Sequence, residues 1–301
     1  MIHAWSASML RNYRLAQFGS LFSEGVEVDI EPTYQESLRL RARILQQDAM
    51  LGLARCARDA LFLVHPHRLP KLPAMMRAMR GAPAGAIRFP EDAMIAANDD
   101  VSLAALLDGY GRGQWLRWIC GRASWWAPAL RLAGDPAAAV EPERARALLS
   151  GGLRITFDRN FDATAARAAT HAILRAHPFQ PGTRGLTALS AAFDAGYGHS
   201  VEIWDQKDRL VGGCHGVALG RAFFTQARFG RTAEIADLAL IALNRYLASR
   251  GYAHHDMGVD PAARRFGFAG LEREDAQRRI AGCLSGGRRG RWLADPALFT
   301  P

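Results

Sequence analysis

The run from Gly198 to Gln226 constrains the fold more than any other part of the chain. Apolar and polar side chains alternate through Gly198-His199-Ser200-Val201-Glu202-Ile203-Trp204, the polar stretch Asp205 to Asp208 follows, and alternation resumes from Leu210 to Gly220 and again through Arg221-Ala222-Phe223-Phe224-Thr225-Gln226. A period of two is the mark of a strand, and a short polar stretch between two such runs is the mark of a turn. The pattern predicts a three-strand antiparallel meander, in which a hairpin delivers its third strand into a site.

The flanking segments set the fold class. Leu153 to Phe157 reads as a strand, Ala163 to Ala176 as an alanine-rich helix and Leu186 to Ala195 as a second helix. After the meander a long helix opens at Thr232, carries Glu234 in its first turn, and ends at Gly251 after Arg245 and Arg250, charges that complement its dipole. Tyr252 to Val259 reads as a further strand. Strand, two helices, antiparallel strands, helix, strand is the order of an acetyltransferase-like (GNAT-related) α/β fold, with a mixed, splayed sheet flanked by helices.

Upstream, residues 34–64 place Leu38, Ile44, Leu51 and Leu61 at helical spacing, and residues 65–90 are broken by proline and glycine as an exposed connection is. Residues 1–86 are expected to form an added helical region. Residues 87–150 are expected to form a small aromatic-rich subdomain, with a short helix capped by Ser102 or Asp100 before Gly111. It holds Trp115, Trp118, Trp125 and Trp126, more than half of the seven tryptophans. Residues 151–301 then form the acetyltransferase-like domain.

Composition narrows the class of partner. At 301 residues and 49% hydrophobic, the chain has enough apolar surface for a substantial core. The formal charge of +9 comes almost wholly from arginine, whose guanidinium forks onto phosphate oxyanions; a high-GC genome that writes Arg for Lys gives the same composition. Cys56, Cys120, Cys214 and Cys283 are far apart with no C-x-x-C pair, which points to reduced thiols rather than a zinc ribbon or a disulfide framework. The N-terminus lacks a basic stretch followed by a long apolar core, and no apolar run reaches bilayer length. A cytoplasmic protein with no membrane partner is expected. Gly286-Gly287-Arg288-Arg289-Gly290-Arg291 suits a phosphate backbone as a glycine-loosened basic loop, or is a solvated tail.

From about Phe89 to Phe299 the chain resembles the leucyl/phenylalanyl-tRNA-protein transferase family. In that family a G-H-S-V-E-V-W segment leads into L-V-G-G-x-Y-G-V-A-x-G, close to Gly198–Trp204 and Leu210–Gly220 here. Phe89-Pro90 is similar to its opening F-P, Tyr110, Gly113, Trp115 and Trp118 to its Y-x-x-G-x-F-P-W-F, and Trp125-Trp126-Ala127-Pro128 to its W-W-S-P. Gly230-Arg231 stands in the place of S-R, His255-Asp256-Met257 in that of I-D-C, Phe266-Gly267 in that of L-G, and Gly290-Arg291-Trp292 in that of the terminal L-G-R-x-x-x-x-F-W. The shared order carries the resemblance. It implies transfer of an amino acid from the 3′ end of a charged tRNA to an amine acceptor, with no cofactor. The reaction is aminolysis of an ester, which needs a neutral amine beside the carbonyl and support for the developing oxyanion.

The same alignment of motifs assigns roles. Asp256 and Gln226 become the catalytic pair that orients nucleophile and ester, Trp115, Trp125 and Trp126 hold the terminal nucleoside, and Cys214, His215, Arg228 and Leu240 line the substrate site. Arg264, Arg265, Arg279, Arg288, Arg289 and Arg291 bear the RNA as a stripe recognised through phosphates. Several departures stand out. The family's G-E-S-M-F-S is Thr225-Gln226-Ala227-Arg228-Phe229-Gly230 here, so a carboxylate has become an amide, which orients but takes no proton. Its D-x-Q is Asp256-Met257-Gly258, its T-W-I-T has no Trp at Phe179 to Gly182, and its S-K is Ala236-Asp237. Cys214 and Arg228 replace two pocket methionines. An arginine at the base of an apolar pocket either points elsewhere or meets cargo other than leucine, and the expectation is that the cargo side chain or acceptor brings a negative or strongly polar group to Arg228.

Other readings of these residues stay open. Asp256 is also an ordinary partner for one of the many arginines. Trp115 and Trp118 recur at helical spacing as core residues do, whereas one of Trp125 and Trp126 faces outward if they share a strand. His215, His254 and His255 lack metal-ligand spacing and are better read as core or cleft-lining groups. An acyl-CoA-dependent N-acyltransferase on the same fold is one alternative function, although Ala227 to Thr232 lacks the expected pyrophosphate-gripping turn. A tRNA-binding relative without turnover, or a transferase acting on a peptide or small-molecule amine, is another.

Overall fold

The computed structural model describes scattered positions between 52 and 68, residues 69–79, 87–88 and 93–97, and then 100–299 apart from 120–121, 175–179, 288 and 294–295. Most of the predicted helical region at residues 1–86, together with Phe89-Pro90, Cys120, Phe179 and Arg288, lies outside the described residues.

After a 3-10 helix at Leu69–Lys71, α1 (Leu72–Met79) is the first α-helix with described bounds. β1 (Ile87–Arg88) and β2 (Ala93–Ala97) follow, then α2 (Leu103–Gly111), β3 (Trp115–Ile119) and β4 (Arg122–Trp126). The four strands form one small sheet in the order β1-β2-β4-β3. Ser102 caps α2, its hydroxyl accepting the Ala105 N–H at 3.2 Å, and Asp100 supports the cap by accepting the Ser102 N–H. Trp115 and Trp118 stand on a strand, not on the helix that their spacing suggests, yet both are buried as core residues. Trp125 and Trp126 alternate across β4, and neither faces outward because that sheet is covered on both sides here.

The chain then leaves this sheet. β5 (Leu130–Gly134) joins a second, seven-stranded sheet with β6 (Arg154–Phe157), β7 (Gly198–Trp204), β8 (Leu210–Leu219), β9 (Ala222–Gly230), β10 (His254–Asp256) and β11 (Ala269–Glu272). Its strand order is β11-β5-β10-β9-β8-β7-β6. Between β6 and β7 lie α3 (Phe161–Leu174) and α4 (Thr183–Asp194); α5 (Ala233–Ser249) links β9 to β10, and α6 (Arg273–Cys283) follows β11. The meander is present with the predicted antiparallel pairing, and β9 and β10 run parallel for three register pairs before they part. This is the acetyltransferase-like arrangement, a mixed sheet flanked by helices.

Two faces of the large sheet differ in what they hold. One packs on α5, where Leu238 to Leu243 are buried against Val201, Ile203, Cys214 and Phe223. The other packs on α3, α4 and the small sheet, where Val217 and Phe224 meet Tyr110, Trp115, Trp118, Trp125, Ala188 and Ala192. Because β7 and β8 are covered on both faces, the polar positions of their alternation are buried and must find partners inside the protein. Glu202 accepts Ser200 Oγ and Thr156 Oγ1, each at 2.6 Å, and sits beside the Asn160 N–H at the start of α3. His199 Nδ1 lies 2.8 Å from Asp158, which also accepts the backbone N–H groups of Ser200 and Trp292.

Candidate functional site

A β-bulge builds the centre of the site. His215 pairs with Ala227 and Gly216 with Thr225, so Gln226 is the extra residue of β9. The residues around it fix which way each side chain points. Thr225 Oγ1 lies 2.7 Å from His255 Nε2, and His255 Nδ1 lies 2.7 Å from Asn244 Oδ1 on α5, so both stand on the α5 face. Asp256, next to His255 on a regular strand, therefore projects to the opposite face, while Gln226 stands in the bulge that interrupts the alternation of β9. Cys214 Sγ sits 3.8 Å from Ala239 O of α5, and His215, next along β8, turns to the opposite face against the Phe161 ring at 5.7 Å.

Buried polar atoms without an aligned hydrogen-bond partner lie on both faces: His199 Nε2 and Asn244 Nδ2 on the α5 face, and His215 Nδ1, His254 Nε2 and Tyr110 Oη on the other, with Gln226 Nε2 at the bulge, whereas Asp256 Oδ2 and Arg131 Nη2 also lack one but form an ion pair. Buried polar groups are nearly always paired, and each exception calls for an account. Burial pushes the His215 imidazole down to about 4, so it is neutral at physiological pH.

Asp256 departs from its expected role. It has no exposed surface, and its carboxylate is enclosed by its own chain: Arg131 Nη2 is 2.6 Å from Oδ2, the Gly258 N–H donates to Oδ1 at 2.7 Å, and His254 Nε2 is 3.6 Å away. Burial alone raises such a carboxyl, but the Arg131 guanidinium and then His254 outweigh it and hold Asp256 below the ordinary range. The close Arg131 contact is an ion pair with poor hydrogen-bond alignment, since neither Nη2 nor Oδ2 finds a properly aligned partner. Arg131 is 1% exposed, donates from Nη1 to Gly113 O at 2.5 Å, and lies 5.3 Å from the Trp115 ring. The sequence reading missed Arg131. Its signal was position alone, five residues beyond Trp126 in the W-W-x-P segment.

The remaining predicted residues divide. Trp115, Trp125 and Trp126 are 8%, 4% and 1% exposed, so none presents an open ring face for a nucleobase. Trp125 instead packs edge-on against Tyr110 with centroids 5.5 Å apart, and Trp126 Nε1 donates to Ser124 Oγ. Cys214 and Leu240 are packed in the α5-face core, and burial pushes the Cys214 thiol up. Arg228 points elsewhere than into an apolar pocket: its Nε is 2.7 Å from Asp260 Oδ2, and Nη1 is 3.6 Å from Asp237. These carboxylates neutralise it without any acidic group on the cargo. Gly258, in the place of the family's glutamine, has φ +60°, and a Cβ there would lie 2.7 Å from the Trp115 ring. The indole thus occupies the space that a side chain at 258 needs.

The predicted arginine stripe is not continuous. Arg265 is bound through two nitrogens to Asp237 in the first turns of α5, just beyond the end of β9. Arg289 and Arg291 lie against Tyr197 and Phe193 beside the start of β7, at the other end of the sheet. Arg264 and Arg279 are exposed.

Fold and site together define an acyltransferase-type protein, in which the third strand of a meander carries an amide and its parallel neighbour a buried acid. Residues 137–281 match the family model described as leucyl/phenylalanyl-tRNA protein transferase. The leucyl/phenylalanyl-tRNA–protein transferase of Anaeromyxobacter dehalogenans is 32% identical over 239 residues, covering 76% of this chain and 97% of its own. Those of Chromohalobacter salexigens and an Azoarcus species are each 35% identical, over 61% and 60% of this chain and 71% and 81% of theirs. The chain belongs to the leucyl/phenylalanyl-tRNA protein transferase family. The solved structure of L-PGS from Bacillus licheniformis overlaps it with a TM-score of 0.36 at 11% identity, covering 53% of this chain and 66% of its own. Among the described residues, no helix is long and apolar enough to cross a membrane.

Proposed function

We propose that this chain transfers an amino acid from the 3′ end of a charged tRNA to an amine acceptor, with Gln226 as the side chain that orients the reacting groups. The observation that carries this reading is the bulge at Gln226, where Gln226 Nε2 and the neighbouring His215 Nδ1 are buried without a hydrogen-bond partner. Gln226 is partly exposed, unlike Asp256, and its amide Nε2 is uncommitted. An amide donor at that point suits a carbonyl oxygen that gains charge as the ester is attacked. An aminoacyl ester is already activated, so orientation and exclusion of water suffice and no cofactor enters the proposal.

Asp256 acts at one remove in this reading. Its charge fixes Arg131, and its Oδ1 holds the turn at Gly258, so it shapes the floor of the site rather than meeting the amine. The acyl-CoA alternative is disfavoured by the start of α5, where Thr232 Oγ1 accepts the Ile235 N–H at 3.3 Å and the side chain of Asp237 lies against Arg265 and Arg228. A pyrophosphate there would meet a capped helix end and a carboxylate.

The test mixes purified protein with leucyl-, phenylalanyl- and polar aminoacyl-tRNAs, each radiolabelled, and with protein, peptide and small amine acceptors. Label moved to an acceptor supports the proposal. Label released only to water, whatever acceptor is present, overturns it.

A further inference from the structure

We propose that the loop following α6, together with the turn between β8 and β9, is the surface that receives the phosphates of the RNA, through Arg221, Arg289 and Arg291. This rests on the reading above that the donor is a charged tRNA, and it assigns the RNA to one end of the sheet only.

The loop is built rather than loose. Cys283 O at the end of α6 accepts the Arg221 N–H at 2.7 Å, and Gly290 N donates to Gly196 O at 3.4 Å. Beyond them Trp292 anchors the segment: its N–H donates to Asp158 at 2.7 Å, and its ring lies flat on His199 with centroids 3.9 Å apart and an interplanar angle of 6°. Gly287 has φ +85° and packs so tightly on Gly220 that a Cβ would lie 2.0 Å from the Gly220 carbonyl oxygen. Glycine is therefore required there both for backbone angle and for space. Gly286 runs along the Arg221 side chain.

The arginines that this path presents are exposed and positioned. The Arg289 guanidinium lies 4.9 Å from the Tyr197 ring, and that of Arg291 lies 5.5 Å from the Phe193 ring. A guanidinium resting on a ring has less rotamer freedom to lose, and its N–H groups remain available to an oxyanion. None of Arg221, Arg289 and Arg291 makes an ion pair among the described residues. At the far end of the sheet Arg228 and Arg265 are already neutralised by Asp237 and Asp260, which leaves Arg264 as the exposed arginine to compare. Uncompensated charge attracts a polyanion, and self-paired charge does not.

The experiment compares wild type, Arg289→Gln/Arg291→Gln, the triple variant with Arg221→Gln, and Arg264→Gln as a control at the other end. Binding of uncharged tRNA is followed across a salt series, and transfer is followed from two donors, full aminoacyl-tRNA and an aminoacyl ester of adenosine. The expected result is a log–log salt slope shallower by about 2 in the triple variant, since each phosphate contact contributes roughly 0.7–0.9. KM for charged tRNA rises at least about tenfold with kcat unchanged, and transfer from the adenosine ester is untouched. An unchanged slope in the triple variant overturns the assignment, as does equal loss with Arg264→Gln, or binding confined to anionic lipid vesicles. If wild type transfers from neither donor, the transferase reading fails while the binding series still decides the surface.

Discussion

Replacing Arg131 by methionine removes the counter-charge of Asp256 while keeping a side chain of similar reach. The two groups are 2.6 Å apart and 1% and 0% exposed, so water cannot take over the role of the lost cation. Removing one member of a buried pair costs about 3–5 kcal/mol, because the survivor is left charged and unpaired. The double variant Arg131→Met/Asp256→Asn removes both charges and is expected to recover at least about half of that loss. The dependence on pH has a definite sign. Asp256 titrates below its unfolded value, so the stability it contributes is complete above about 3.8 and disappears as pH falls through the lower native value. The deficit of Arg131→Met should therefore be full at neutral pH and shrink in acid. Urea unfolding of the wild type, both single variants and the double variant at pH 7 and at pH values stepped down below about 3.8 measures it. A double variant no more stable than Arg131→Met, or an Arg131→Met loss under about 1 kcal/mol, refutes the claim that the pair governs this part of the core.

Other consequences are equally concrete. Burial pushes Glu202 up to about 7, so the native state holds a proton that the unfolded chain has released between about 4.5 and 7. Stability should fall by about 3 kcal/mol as pH rises through that window, and Glu202→Gln should flatten the profile in thermal melts. Gln226→Leu should lower kcat by about 10²-fold with little change in melting temperature, and wild-type turnover in that variant removes Gln226 from the mechanism. Restoring a glutamine by Gly258→Gln should destabilise the protein and fail to raise transfer, whereas Gly258→Gln combined with Trp115→Ala should relieve the clash. Trp292→Ala should cost about 3–5 kcal/mol in denaturant titration through loss of its packing on His199, Tyr246 and Phe157.

The elements that were legible in the sequence are those whose pattern is local. Period-two alternation gave the meander, and Thr232 with Glu234 gave the start of α5, where Thr232 is indeed the cap. The second helix began three residues earlier than Leu186 suggested, and the strand predicted from Tyr252 to Val259 shrank to His254–Asp256 because Gly258 turns at positive φ. What the sequence hid is long-range. Trp115 and Trp118 match helical spacing by coincidence, since each sits on a strand buried from both sides. Arg131 and Asp256 meet only because β5 and β10 are neighbours, and no spacing announces that. The apolar lining expected around Cys214 and Arg228 failed for the same reason: alternation says that neighbours face opposite ways, but not which face holds the site. Arg228 was expected to meet a polar or negative group on the cargo or acceptor, whereas its partners are Asp237 and Asp260, which come from beyond the strand that bears it.

β5 lies between β10 and β11 although it precedes them by well over a hundred residues. During synthesis it emerges long before either neighbour exists, so its hydrogen-bonding edges stay open while the hairpins β7–β8 and β8–β9 can already close. Insertion of β5 is thereby set as a late, slow event in folding, and a nascent chain halted before residue 254 carries an unpaired strand available to chaperones.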